Sequence, residues 1–103
     1  MQDVAADLKR AALVLQPMLR HASPAVRRAA VDAAGDLGSP LLVSSLIQRL
    51  NDPVGGVRRG ALSTLRAITG QNVVNKVPED EFARRTLLRT LRRRWTQSGG
   101  LNF

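Results

Sequence analysis

The sequence predicts an all-α fold, a short right-handed α-solenoid of about two and a half antiparallel helical hairpins with about five helices. Three observations support this prediction. The chain contains an internal repeat, most of its prolines follow residues that cap helices, and its apolar residues recur at helical spacing. Aromatic residues make up only 3% of the chain, so the core must be built from alanine and aliphatic side chains, which favours closely packed helices.

The internal repeat has a period of 31 residues. Shifting the sequence by this length pairs Leu15, Leu19, Val26, Arg27, Arg28 and Ala30 with Leu46, Leu50, Val57, Arg58, Arg59 and Ala61. The apolar skeleton extends beyond these identities, since Val31 aligns with Leu62. Repeats of this length are supersecondary units that bury their apolar faces only by stacking, so we expect a stack of hairpins.

Prolines predict where the helices begin. Ser23-Pro24, Ser39-Pro40 and Asp52-Pro53 each place an N-cap residue before a proline at the first helical position. Pro78 precedes three acidic residues that complement the positive end of a helix dipole. We therefore expect helices at about 3–20, 24–37, 40–50, 54–69 and 79–96. Pro17 falls inside the first helix and predicts a kink or break near Leu13–Gln16.

Each of the three central helices carries one apolar stripe at helical spacing. Small residues at shared positions of the second and fourth helices should let neighbouring helices approach closely. The stripes are Val26, Ala29, Ala30, Ala33 and Leu37 in the second helix, Leu42, Val43, Leu46, Ile47 and Leu50 in the third, and Val57, Gly60, Ala61, Thr64 and Ile68 in the fourth.

The C-terminal part of the chain departs from the repeat. A polar loop, GQNVVNKVP, follows the second copy, and the last helix resumes the pattern of a first helix of a hairpin, because Leu87, Leu88 and Leu91 align with Leu46, Ile47 and Leu50. We expect Phe82–Trp95 to cap the stack. The predicted organisation is one domain over 1–96, with repeats at about 3–38 and 39–70 and a capping helix at 79–96, followed by a mobile tail at 97–103.

The segment HASPAVRRAAVDAAGDLGSPLLVSSLIQRLNDPVGGVRRGALSTLRAITG resembles HEAT repeats of the short, phycobilisome-lyase-like class. That class alternates a leucine helix, an Asp-Pro turn, a Val-Arg-x-x-Ala helix and a Leu-Gly end, and the resemblance covers about residues 11–70. It implies that the Val-Arg helices line the concave side. It also implies a ladder between repeats formed by the turn aspartate and the Val-Arg arginine, which maps onto Asp52 and Arg58. In the first copy the arginine is Arg27, but His21 replaces the aspartate.

The residue inventory argues against an enzyme. The chain has no cysteine and one histidine, His21, and it has no phosphate-binding glycine loop and no His-Glu spacing typical of a metal site. We therefore predict no catalytic residue, no cofactor and no metal. The N-terminal residues are acidic and the apolar runs are far shorter than the ~20 residues that span a bilayer, so we expect a cytoplasmic protein without membrane contact.

The net charge of +8 is carried almost entirely by arginine. This bias could reflect GC-rich coding, or selection for an anionic partner, because a guanidinium matches phosphates and carboxylates. The last helix carries the strongest functional signal. Its residues Arg85, Arg89, Arg92 and Arg93 fall on one side of the helix, opposite the leucines, without acidic partners inside the helix. Such like charges repel, so we expect either acids elsewhere in the fold or a ligand to offset them.

A second basic surface follows from the repeat. Arg28 and Arg59 recur at the repeat period, and Arg66 lies near Arg59 on its helix face. In a HEAT-like stack these residues would make the concave side positive, which suits an acidic protein or peptide surface.

The sequence leaves three functions open. The leading prediction is an interaction scaffold that binds an acidic partner. The second is non-specific binding of nucleic acid through its phosphates, because the basic stripe has no Asn or Gln beside its arginines to read bases and no aromatics to stack on single strands. A remote alternative, bilin-lyase-related activity, comes only from the resemblance, and the chain looks too short to enclose a tetrapyrrole. The oligomeric state is also open.

Overall fold

A computed structural model describes residues 3–70 and 73–103. These residues form five α-helices and no strand, so the predicted all-α fold is confirmed. The helices are α1 Val4–Met18, α2 Pro24–Leu37, α3 Val43–Arg49, α4 Gly55–Thr69 and α5 Glu81–Gln97.

Helix starts follow local capping more closely than proline positions. Ser23 caps α2 as predicted, because its hydroxyl accepts a hydrogen bond from the amide of Val26. The predicted N-cap role of Asp52 was wrong, although the helix predicted at 54–69 is observed at Gly55–Thr69. The Asp52 carboxylate accepts the amide of Val54 at 2.9 Å, which closes a turn, and α4 begins only at Gly55.

The helix predicted at 79–96 likewise begins later, at Glu81. Asp80 serves as its N-cap by accepting the amide of Ala83 at 2.8 Å, so Pro78 precedes the helix. The helix predicted at 40–50 opens as a 3₁₀ turn, Pro40–Leu42, before α3. There the amide of Leu42 donates a hydrogen bond to the carbonyl of Ser39, three residues earlier. This 3₁₀ hydrogen bond takes the place of the first α-helical turn.

Of the kink or break predicted near Leu13–Gln16, the break was wrong, since α1 continues through Pro17 to Met18, and the kink stays a prediction. Pro17 lies in the last turn, where the missing amide removes one hydrogen bond at the end of the helix and leaves the preceding turns intact. The amide of Leu19 closes the helix on the carbonyl of Leu15 at 3.0 Å.

The helices pack in two layers. α1 and α2 form the first hairpin and α3 and α4 the second, and α2 lies along α4 to make one layer. The other layer contains α1, α3 and α5, because the 3₁₀ turn before α3 packs against α1 and α5 packs against α3. The last helix, α5, therefore extends the layer that is formed by the first helix of each hairpin.

The core confirms two of the three predicted stripes in most positions. Every residue of the α3 stripe is buried, and so are Val57, Gly60, Ala61 and Thr64 of the α4 stripe. In α2 the stripe was predicted about one position out of register. Ala29 is exposed, and the fully buried residues are Ala30, Val31 and Ala34, with Arg27 leading the same face. The sequence pattern missed this register because the stripe was built from apolar residues alone and so left out the buried Arg27.

The C-terminal region completes the core. Leu88 and Leu91 of α5 are buried, and Leu87 and Trp95 pack against the core from its edge. Val73 and Val77 are buried as well, so the loop predicted to be polar contributes apolar side chains. Gln71 and Asn72 of that loop lie outside the described residues.

The segment after α5 turns back on the helix. Gly99 and Gly100 adopt positive φ angles of 70° and 79°, conformations that glycine adopts without strain, and the ring of Phe103 lies 5.4 Å from that of Trp95. The predicted mobility of residues 97–103 stays a prediction, although the segment has defined contacts. No helix in the described ranges is long and apolar enough to cross a membrane.

Candidate functional site

A buried ion pair joins the two repeats. Asp52 is 1% exposed and receives a two-pronged contact from Arg27 of the preceding repeat, with Nε to Oδ2 at 2.7 Å and Nη2 to Oδ1 at 3.1 Å. Arg49, at the end of α3, donates to Oδ2 at 2.9 Å. With the amide of Val54, these donors satisfy both carboxylate oxygens, so Asp52 ties α2, α3 and the start of α4 together.

The environment of Asp52 favours its charged form. Burial raises the pKa of the carboxyl, but the hydrogen bonds from Arg27 and the Val54 amide, together with the positive charges of Arg27 and Arg49, outweigh burial. The pKa of Asp52 therefore lies below its ordinary value of 3.8.

Three arginines repeat one backbone contact. Arg27, Arg58 and Arg84 each point Nη1 at the carbonyls six and five residues before them. The acceptors are His21 at 2.9 Å and Ala22 at 3.0 Å, Asp52 at 2.7 Å and Pro53 at 3.3 Å, and Pro78 at 3.2 Å and Glu79. These contacts fix the turn that precedes each helix. Sequence analysis missed Arg84 in this role, although its six-residue distance from Pro78 repeats the spacing of Arg58 from Asp52.

The ladder residues pair differently from what the family resemblance implied. Arg58 contacts the backbone carbonyl of Asp52, while the carboxylate of Asp52 is held by Arg27 of the previous repeat. The first copy has His21 where the family pattern has an aspartate, but Arg27 still has an acidic partner. That partner is Asp52, which belongs to the following repeat.

The basic surface predicted on the α2–α4 layer is partly used by the fold. Arg28 donates to the Asp32 carboxylate at 3.3 Å and to the carbonyl of Gly56 at 2.8 Å, so it links α2 to α4. Arg59 and Arg66 line a shallow hollow beside Lys76.

The arginine stripe of α5 has one acidic partner that the sequence analysis did not assign. Arg85 pairs with Glu81 at 2.9 Å, so the prediction of a stripe without acidic partners inside the helix was wrong at this position. Both side chains are about 60% exposed (62% and 60%), which makes this a solvated contact of low energy. Arg92 and Arg93 make no ion pair with any residue that the structure describes.

The packing of α5 on α3 creates a groove with basic walls, here called the α3–α5 groove. It has a volume of about 490 Å³ and is lined by Arg85, Arg89 and Arg92, by Gln48 of α3 and Asn51 of the turn after α3, and by the apolar residues Phe82 and Leu88. Arg93 lies farther round α5, in a hollow that also contains Thr86 and Thr90 and shares Arg89 with the groove. The groove thus unites three of the four arginines of the predicted stripe.

An adjoining hollow continues the groove. It is lined by Arg20, Ser44, Ser45, Gln48, Arg49 and Arg92, and it shares Gln48 and Arg92 with the α3–α5 groove. Sequence analysis missed Arg20 and Arg49 as candidate site residues, since only the tertiary packing of α5 beside α3 brings them near Arg92.

Stacked hairpins with buried inter-repeat contacts define a helical-repeat protein. A family model described as HEAT repeats matches residues 5–66, more than half of the chain, so the protein belongs to the HEAT-repeat family. No curated protein and no solved structure matches the chain. HEAT repeats generally serve as scaffolds for protein interaction and are typically not enzymes. The phycobilisome-lyase-like subtype stays a prediction.

Proposed function

We propose that this HEAT-repeat protein binds an acidic segment of a partner protein in the α3–α5 groove. One observation carries the proposal: three arginines of α5 line the groove together with Gln48 of α3 and Asn51 of the following turn, and no carboxylate of the described residues lines it. A rigid helix presents these guanidinium groups together, so a segment with several carboxylates can meet them without prior rearrangement.

The apolar part of the groove favours a protein over nucleic acid. Phe82 is 72% exposed and lines the groove together with Leu88 and the arginines. An acidic peptide can supply both carboxylates for the arginines and an apolar side chain for Phe82. The backbone of a nucleic-acid duplex presents phosphates while its bases are stacked inside, so it leaves the apolar end of the groove without a partner.

Two polar groups, one on α3 and one in the turn that follows it, suit an extended segment. The Oδ1 atom of Asn51 accepts a hydrogen bond from Arg84 at 2.8 Å, which fixes the amide and leaves its Nδ2 hydrogens for a carbonyl of the bound chain. Gln48 is exposed where the groove meets the adjoining hollow. The arrangement provides donors along the path of a peptide backbone.

Charge-matched variants test the proposal. The probe is a fluorescein-labelled peptide of glutamate and aspartate with one phenylalanine, followed by anisotropy at physiological salt. The double variant Arg89→Ala/Arg92→Ala is expected to weaken binding about tenfold or more, equivalent to about 1.4 kcal/mol. The control Arg10→Ala/Arg94→Ala removes the same charge outside the groove and is expected to stay within about twofold of the wild type.

A duplex DNA probe tests the alternative function, non-specific binding of nucleic acid. Equal loss of peptide binding in both double variants would contradict the groove as the site. The opposing result is tighter binding of DNA than of the peptide, with a slope of roughly −4 to −5 in a plot of the logarithm of the binding constant against the logarithm of the salt concentration. That result would favour nucleic acid as the ligand. The bilin-related alternative is tested by the absorption spectrum of a bilin mixed with the protein, which we expect to stay unchanged.

A further inference from the structure

The hollow next to the α3–α5 groove gathers three arginines from three parts of the fold. Arg20 follows α1, Arg49 ends α3 and Arg92 lies on α5. Ser44, Ser45 and Gln48 complete the lining, so every lining residue is polar and none is acidic. We refer to it as the three-arginine hollow.

The positive charge of this hollow is only partly balanced within the fold. Asp52 contacts Arg49 but also holds Arg27, so one carboxylate serves two guanidinium groups. Arg20 and Arg92 make no ion pair with the described residues. The side chain of Arg49 is 15% exposed, and its buried Nε atom has no hydrogen-bond partner among the described residues. Converging like charges repel each other, so an anion bound between them gains from all three.

The donor set distinguishes between kinds of anion. A carboxylate has two oxygens and one charge, and a single guanidinium can bind both oxygens. A phosphomonoester carries a charge of about −1.5 to −2 near neutral pH and three acceptor oxygens, which suits several guanidinium groups together with the hydroxyls of Ser44 and Ser45. The phosphodiester of a nucleic-acid backbone carries a single charge and is a poorer match.

We propose that the three-arginine hollow binds the phosphate of a phosphorylated serine or threonine in the partner segment that occupies the α3–α5 groove. The hollow and the groove share Gln48 and Arg92, so one segment can fill both. The volume of the hollow, about 520 Å³, leaves room for the residue that carries the phosphate. The proposal rests on the proposed function for the segment, and the phosphate makes a separate contribution to affinity.

Arg20 allows the two proposals to be tested separately, because it lines the hollow and not the groove. The probe is the acidic peptide described above with one added serine, unmodified or phosphorylated. Phosphorylation is expected to tighten binding to the wild type about tenfold or more. In Arg20→Ala the gain should fall to about twofold or less, while affinity for the unmodified peptide stays within about twofold of the wild type. Arg94→Ala, on the same helix as Arg92 but outside both sites, should keep the full gain.

Three outcomes would overturn the phosphate site. They are equal affinity of the wild type for the two peptides, an undiminished gain in Arg20→Ala, and inorganic phosphate binding as tightly as the phosphopeptide. The first two leave the proposed function standing, provided that Arg89→Ala/Arg92→Ala still weakens the unmodified peptide. If neither peptide binds, the proposed function fails. The phosphate site is then judged by titrating phosphoserine and following the amide signals of Ser44 and Ser45, and unshifted signals would overturn it too.

Discussion

Asp52 shows how one buried charge can organise several elements. Its carboxylate receives donors from Arg27, Arg49 and the amide of Val54, so each oxygen is satisfied after removal from water. Burial of ions is costly unless the pairing is complete, and loss of one partner leaves the other as an uncompensated buried charge. The sequence, through the family resemblance, pointed to Asp52 and Arg27, but it could not show that Arg27 reaches into the next repeat.

Asp52→Asn should destabilise the protein by about 3–5 kcal/mol, because Arg27 stays buried without its counter-charge. This is a large share of the roughly 5–15 kcal/mol that stabilises a typical domain. Urea denaturation followed by circular dichroism measures the change. Asp32→Asn is the matched control, since the Asp32 side chain is 62% exposed in its pair with Arg28, and we expect its effect to stay below about 1 kcal/mol. Equal effects of the two substitutions would contradict the structural role of Asp52.

The lowered pKa of Asp52 predicts how this difference depends on pH. Because the folded pKa lies below the ordinary value of 3.8, the stabilisation is fully present above that value and is lost as the pH falls through the folded pKa. The gap in unfolding free energy between the wild type and Asp52→Asn should therefore be constant from neutral pH to about pH 5 and narrow in stronger acid. A gap that widens below pH 4 would show that the pKa is raised instead.

At the scale of elements, two glycines near the C-terminal end of α2 are under different constraints. An added Cβ at Gly35, inside α2, would lie 3.4 Å from Oγ1 of Thr64 on α4, an ordinary contact distance. Gly38 follows the last residue of α2 and has a φ of 68°, a conformation that other residues rarely adopt. Only Gly38 therefore requires glycine.

Replacing each of these glycines by alanine should change stability in opposite directions. Gly35→Ala should stabilise by about 0.4–1 kcal/mol, since it removes freedom from the unfolded chain and its methyl group fits. Gly38→Ala should destabilise by about 1–2 kcal/mol, because alanine is strained at positive φ. Thermal unfolding of both variants provides the comparison. Destabilisation by Gly35→Ala would mean that α2 and α4 pack more closely than the structure shows.

Helix positions were predictable where a single local rule decides them. Ser23 followed by Pro24 gave both the cap and the start of α2. The same rule failed at Asp52-Pro53, because the Asp52 carboxylate is buried in ion pairs with Arg27 of the preceding repeat and with Arg49 and does not cap α4. The buried face of α2 was missed as well. The burial of Arg27 is explained by its ion pair with Asp52 in the next repeat, and no local sequence pattern shows that contact.

Across the whole molecule, α5 contributes to the core and, in the proposed function, also to recognition. Its Leu88 and Leu91 close the layer of first helices, while its arginines line the α3–α5 groove. The sequence predicted the cap and the arginines separately, from a leucine stripe and a charge stripe on one helix. It could not predict the groove, because Gln48, Asn51 and Arg20 become neighbours of α5 only through tertiary packing.

Truncation after Lys76 should cause aggregation or partial unfolding, because it removes α5 and exposes the apolar face of α3. Size-exclusion chromatography with light scattering, together with helicity by circular dichroism, measures the outcome. Replacement of the exposed Leu101 by alanine is a control that leaves α5 in place and should have little effect. A truncated chain that is monomeric and fully helical over its remaining length would contradict the capping role.

The most direct test of the account is to map where an acidic peptide binds by two-dimensional amide NMR on the full chain. If the packing of α5 on α3 creates the binding site, the amide signals of Gln48, Asn51 and Arg89 should shift together as peptide is added, while those of Arg59 and Arg66 stay in place. Shifts centred on Arg59 and Arg66, or spread evenly over all exposed arginines, would contradict the claim that the α3–α5 groove is the recognition surface.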